Sequence, residues 1–113
     1  MKYSKIVELT AGSDNTLLMV PSGYDYVVTY LYLKNRGDSA SDVSAHFVTE
    51  GNSVAFLIGK NITEKEVLDF GGLAGTFIVM KEGDSLVITP SEGSDFVFLA
   101  SFEAVQATPR VNV

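Results

Sequence analysis

No cysteine occurs in this chain, which excludes disulfide staples, thiolate metal sites and cysteine nucleophiles together. Histidine is nearly as scarce, with His46 alone. A zinc centre would want further ligands, and a Ser-His-Asp triad would want a nucleophile elbow of the G-x-S-x-G type, which is missing. No apolar run approaches the roughly 20 residues of a membrane helix, so no membrane contact is expected. Met1 to Gly12 carries neither an apolar h-region nor a cleavage pattern, and no signal peptide is expected. Positive charge is sparse too. Eight Lys and Arg are scattered among fourteen Asp and Glu, for a net charge of −6, and such a chain is repelled by phosphate backbones, so nucleic acid is not an expected partner. Phosphate loops are also lacking. Gly59-Lys60-Asn61 has neither the upstream glycine nor the hydroxyl of a P-loop, and Gly71-Gly72-Leu73-Ala74-Gly75 opens a strand, not a helix. No cofactor is implied.

What the chain does have is hydrophobic residues, 46% of its 113, arranged with a period of two. The length is that of one domain. Helical spacing is confined to Thr63–Leu68, where Thr63 and Glu66 are placed as a capping pair, and that stretch is long enough only for one turn or a polar link. Strands are predicted over Ser4–Thr10, Thr16–Val20, Asp25–Asn35, Val43–Thr49, Ser53–Ile58, Val67–Phe70, Thr76–Met80, Ser85–Thr89 and Asp95–Ala104. Turn chemistry separates them at Pro21-Ser22-Gly23, Arg36-Gly37-Asp38-Ser39 and Glu50-Gly51-Asn52, and at Lys81-Glu82-Gly83-Asp84, which reads as a hairpin with a left-handed glycine. Eight or nine short strands so spaced predict an all-β antiparallel sandwich of jelly-roll-like form. It would occupy residues 1–105, with 106–113 as an extended C-terminal arm.

Parity assigns the faces. In the final strand Phe96, Phe98, Ala100 and Phe102 share one side, which must be the core, while Val97 and Leu99 make the opposite side apolar at its middle. In Ser53–Ile58, Val54, Phe56 and Ile58 oppose Ala55 and Leu57. The long strand places Val27, Thr29, Leu31 and Leu33 on one face and Tyr24, Tyr26, Val28, Tyr30 and Tyr32 on the other. Four of the five tyrosines thus form a stripe. Tyrosine suits a surface dry on its ring and wet at its hydroxyl, so the stripe is read as cover for an exposed face, as a seam to another subunit, or as a ligand groove. The candidate interface is Tyr24, Tyr26, Tyr30 and Tyr32, with Arg110, Val111 and Val113 of the arm.

Other motifs yield to plainer readings. Asp14, Asp25, Asp38, Asp42, Glu50, Glu82, Asp84, Glu92 and Asp95 fall in turns, where carboxylates serve backbone hydrogen bonding and solubility, not a poised acid–base pair. Gly12 to Asn15 and Gly37 to Asp42 are acidic enough for calcium but lack EF-hand spacing. Arg36-Gly37-Asp38 matches an adhesion tripeptide in what is ordinary turn chemistry, and Asn61-Ile62-Thr63 is a glycosylation sequon that matters only in a secreted eukaryotic protein.

The order of these features carries a resemblance. Pro21-Ser22-Gly23 precedes a long strand ending at Asn35, a Gly59-Lys60 step leads into Ile62, a Gly-Gly loop follows, and the chain closes with Lys81-Glu82-Gly83-Asp84-Ser85-Leu86 and an aromatic strand ending in Ser101-Phe102-Glu103. Over about residues 16 to 103 this resembles the small β-sandwich virion structural proteins of tailed, especially marine, bacteriophages. The resemblance implies a non-enzymatic capsid decoration (cement) protein located in the virion and made in the host cytoplasm. Its partners would be itself, in closed cyclic form such as a trimer, and the major capsid protein or tail proteins. Two alternatives stay open: a tail, neck or fibre component, and a carbohydrate-binding module that stacks sugars on its tyrosines.

Overall fold

The period-two pattern becomes nine strands and no helix in the computed structural model, which describes residues 1–71 and 78–108. They are β1 (Lys2–Glu8), β2 (Asn15–Met19), β3 (Tyr24–Asn35), β4 (Ser41–Thr49), β5 (Asn52–Ile62), β6 (Val67–Gly71), β7 (Ile78–Met80), β8 (Ser85–Pro90) and β9 (Phe96–Gln106). One sheet runs β1-β9-β3-β6, with β7 also pairing with β3, and the other runs β2-β8-β4-β5. All pairs are antiparallel. The chain changes sheet at nearly every connection, staying within one only at the β4–β5 hairpin and from β6 to β7. With β6 and β7 taken as one broken strand, this is the eight-stranded order of a jelly roll.

The β4–β5 connection needs a two-residue turn between Thr49 and Asn52, and Glu50 and Gly51 supply it, both at positive φ, as the twist of a tight hairpin requires. The Lys81–Asp84 turn departs from expectation. Gly83 does take a positive φ, but β7 belongs to one sheet and β8 to the other, so the turn is an inter-sheet corner, not a hairpin. A period-two pattern gives strand identity but not strand partner, which is why the sequence reads both cases alike. In the Thr63–Leu68 stretch, Thr63–Glu66 form a polar turn with Lys65 at positive φ, and Val67 and Leu68 already belong to β6.

The inner faces meet over Leu17, Leu18, Val28, Leu31, Leu33, Val43, Ala45, Leu86, Ile88, Phe96, Phe98 and Ala100, all buried. The Phe96-Phe98-Ala100-Phe102 face is the core side, as parity predicts. Between the sheets, the gap lined by Leu31, Leu33, Ala45, Ile88 and Phe98 holds only about 10 Å³, less than one water and too little for a ligand. Where β3 ends, the Asn35 side chain is wholly buried and fully used. Its amide nitrogen donates to the carbonyls of Ser39 and Ile62, both at 2.9 Å, and its oxygen accepts from the Gly37 N–H at 2.9 Å. That one residue ties the 36–39 turn to the end of β5.

Candidate functional site

The tyrosine stripe is the point at which structure and sequence part. Along β3 the pairing with β9 runs Tyr26↔Ala104 and Val28↔Phe102, then slips, so that Tyr30 meets Ser101 and Tyr32 meets Leu99. Thr29 is the extra residue of a β-bulge, its hydroxyl donating to the Ser101 carbonyl at 3.2 Å. One extra residue flips every side chain beyond it to the other face. Val28, Leu31 and Leu33 are therefore all core residues, although 28 and 31 differ in parity. Tyr24 and Tyr26 lie on the core side of the sheet, and Tyr30 and Tyr32 on its outer side. The single stripe is two pairs on opposite faces. Arg110, Val111 and Val113, the arm's share of the predicted interface, lie outside the described residues.

On the outer face, cross-strand register builds rows that no single strand reveals. Ile6, Leu99, Tyr32 and Asp69 form one row across β1, β9, β3 and β6, and Glu8, Val97, Lys34 and Val67 form the next. Ser4, Ser101, Tyr30 and Gly71 form a third. Ile6 is 68% exposed and Val67 40%. The Tyr30 hydroxyl donates to Asp69 Oδ2 at 3.0 Å, and partial burial together with that carboxylate pushes the phenol pKa up. The rings of Tyr30 and Tyr32 sit 6.4 Å apart. This face has an apolar middle and a rim of both charge signs.

On the inner face, three rings stand side by side across three strands. Phe102 of β9 lies between Tyr3 of β1 (5.4 Å between centroids, 26° between planes) and Tyr26 of β3 (4.6 Å, 36°). These spacings match the separation of neighbouring strands, about 4.8 Å, so the backbone sets the stack. Beyond the rings, Ala104 is the next inward position of β9, and its methyl leaves a hollow of about 300 Å³ bounded by Tyr3, Pro21, Tyr24, Tyr26, Phe102 and Ala104. Stripe reasoning leaves out Tyr3, the fifth tyrosine, because it sits on a different strand. The alternation of β9, continued from Phe102 to Ala104, is the sequence signal that could have located the floor.

Asp25 is not a turn carboxylate as predicted. It lies within β3, is 3% exposed, and its Oδ2 accepts from Lys81 Nζ (2.8 Å) and from the Thr108 hydroxyl (2.9 Å) and amide (3.2 Å). Lys81 Nζ also reaches the Thr108 hydroxyl. The ammonium of Lys81 holds the Asp25 carboxyl below its ordinary range, with Thr108 assisting and burial opposing. This group fastens the segment after β9 to the corner before β8.

The remaining candidates are engaged in the fold. Arg36 pairs with Asp95 (2.7 Å) and Glu8 (3.1 Å), which raise its pKa, the Gly37 N–H is held by Asn35, and the exposed Asp38 pairs with Lys65 (3.2 Å), so each member of the Arg36-Gly37-Asp38 tripeptide has an internal partner. His46 is half-buried, with Val87 and Ala55 as its cross-strand neighbours. Asn15 closes the 10–15 loop on the carbonyls of Thr10, Ser13 and Ile88, and Asp14 accepts from the Thr89 hydroxyl. Among the described residues, no three His, Asp or Glu side chains converge as metal ligands would. No protein-family model and no curated protein matches the chain.

Proposed function

We propose that the chain is a non-enzymatic virion structural protein, a capsid decoration module that associates with copies of itself and adds to the shell by repeated contacts. The observation that carries this reading is the outer face of the β1-β9-β3-β6 sheet. An antiparallel sheet with one face in water ordinarily alternates apolar-in with polar-out. Here Ile6, Val97, Leu99 and Tyr32 put an apolar patch on the outside, and Glu8, Lys34, Asp69, Lys2 and Glu103 border it. A dry centre within a polar rim is the anatomy of a protein–protein interface. A rim of both signs suits a second copy of this chain, whose Lys and Glu can pair with it, better than a partner of one sign. The jelly-roll order is common among shell and lectin domains and supports the class of role by analogy only.

The test is the molar mass of the purified chain by light scattering on a sizing column. A closed oligomer is expected, with Ile6→Lys plus Leu99→Lys returning it to monomer while far-UV circular dichroism stays unchanged. A wild-type chain that remains monomeric at high concentration would overturn the seam. For the shell contact, co-expression with the major capsid protein of the same genome should send the chain down a gradient with assembled shells. Failure to co-sediment removes the decoration role.

A further inference from the structure

The hollow beside Tyr3, Phe102 and Tyr26 faces away from the proposed seam and carries different chemistry. We propose that it is a binding site for one neutral pyranose ring of a glycan.

Size comes first. About 300 Å³ is the lower end of ligand-pocket volumes, room for a single ring and its substituents. Charge comes second. The lining residues are Tyr3, Pro21, Tyr24, Tyr26, Phe102 and Ala104, with no Asp, Glu, Lys, Arg or His among them. A cationic ligand would find no carboxylate in the lining, and an anionic one no cationic side chain. Ring orientation comes third. Phe102 has Tyr3 stacked on one side and Tyr26 tilted against the other, and Tyr26 has Met80 as its neighbour on β7, so both rings have their faces covered by neighbours and leave chiefly their edges to the hollow. Aromatic edges are electropositive and suit oxygen atoms, which argues further against a cation cage. Tyr3 lies on an edge strand, with one face on Phe102 and, among the described residues, no strand beyond the other. Together with Tyr24, 48% exposed, it supplies apolar surface for the C–H side of a sugar.

Hydrogen bonding completes the match. The phenol hydroxyls of Tyr3, Tyr24 and Tyr26 have no partner among the described residues, whereas that of Tyr30, on the other face, is committed to Asp69. Three free hydroxyls above apolar rings present both halves of what a pyranose offers: C–H surface and hydroxyls that donate and accept. The vacancy itself depends on Ala104, since a larger side chain at that inward position would fill it.

The experiment is saturation-transfer NMR on the full chain with methyl β-D-glucopyranoside, methyl β-D-galactopyranoside, methyl α-D-mannopyranoside and N-acetylglucosamine, read together with the Ala104 methyl resonance. A dissociation constant of the order of 1 mM is expected for about a dozen non-hydrogen atoms held at modest efficiency. At least one sugar should draw saturation from the tyrosines and shift the Ala104 methyl. Tyr3→Ala should weaken that binding about fivefold to tenfold, and Ala104→Leu should abolish it. Tyr32→Ala, on the far face, should leave it unchanged. The inference is overturned if no sugar moves the Ala104 methyl, if binding survives Ala104→Leu, or if a proline-rich peptide occupies the hollow and the sugars do not.

Discussion

Replacing Tyr26 and Tyr30 by serine, one at a time, tests the bulge at Thr29 on which both proposed surfaces depend. If β3 were a regular strand, residues 26 and 30 would share a face and their truncations would cost alike. With the bulge, Tyr26 packs inward, 4.6 Å from the Phe102 ring and opposite Met80, which is 1% exposed. Tyr30 faces outward, with an exposed hydrogen bond to Asp69. Truncating a fully buried aromatic costs about 3–5 kcal/mol, and Tyr26 is half-buried, so Tyr26→Ser should cost about 2 kcal/mol. For a domain of this size that lowers Tm by about 10 °C. Tyr30→Ser removes no core contact and should leave Tm close to that of the parent. Both are measured by thermal and urea unfolding at one low protein concentration, because self-association would add stability by mass action. Equal losses for the two variants, or a larger loss for Tyr30→Ser, would refute the bulge and restore the continuous stripe.

Two further outcomes follow from buried polar groups. Asp25→Asn should cost about 3 kcal/mol by leaving Lys81 without its counter-charge, and it should free the segment at Thr108, seen as faster amide exchange at Ala107 and Thr108. Because the folded state holds the Asp25 pKa below its ordinary value of 3.8, its contribution is complete above that value and is lost as pH falls through the folded-state value. The parent's Tm should therefore fall more steeply in acid than that of Asp25→Asn. At the other end of β3, Asn35→Ala removes three hydrogen bonds and strands the buried carbonyl of Ile62, for a loss of about 3 kcal/mol. Asn35→Asp keeps the shape but sets a carboxylate against the carbonyls of Ser39 and Ile62. That variant should be destabilised at neutral pH and regain stability as the pH is lowered and the acid becomes a donor. A flat pH profile for Asn35→Asp would show that the side chain is not bound as described.

The sequence by itself determined the strands and the core. Alternation at Phe96, Phe98, Ala100 and Phe102, glycine and proline punctuation at Pro21-Ser22-Gly23 and Glu50-Gly51, and the want of helical spacing outside Thr63–Leu68 mark the nine elements to within a few residues, because pleat geometry and turn conformation are local properties of the chain. What lies across from each strand is not local. The sequence reads Lys81–Asp84 as a hairpin when it is a corner between sheets, Asp25 as a turn carboxylate when it is a buried ion pair, and four tyrosines as one stripe when one extra residue at Thr29 divides them. A bulge has no signature in alternation alone, since it exists only as a mismatch against a partner strand. Only the tertiary structure brought Ile6, Leu99 and Tyr32 into one row and set Tyr3, Phe102 and Tyr26 in one stack. Both arrangements are built across strands, from residues as much as 99 positions apart in the chain.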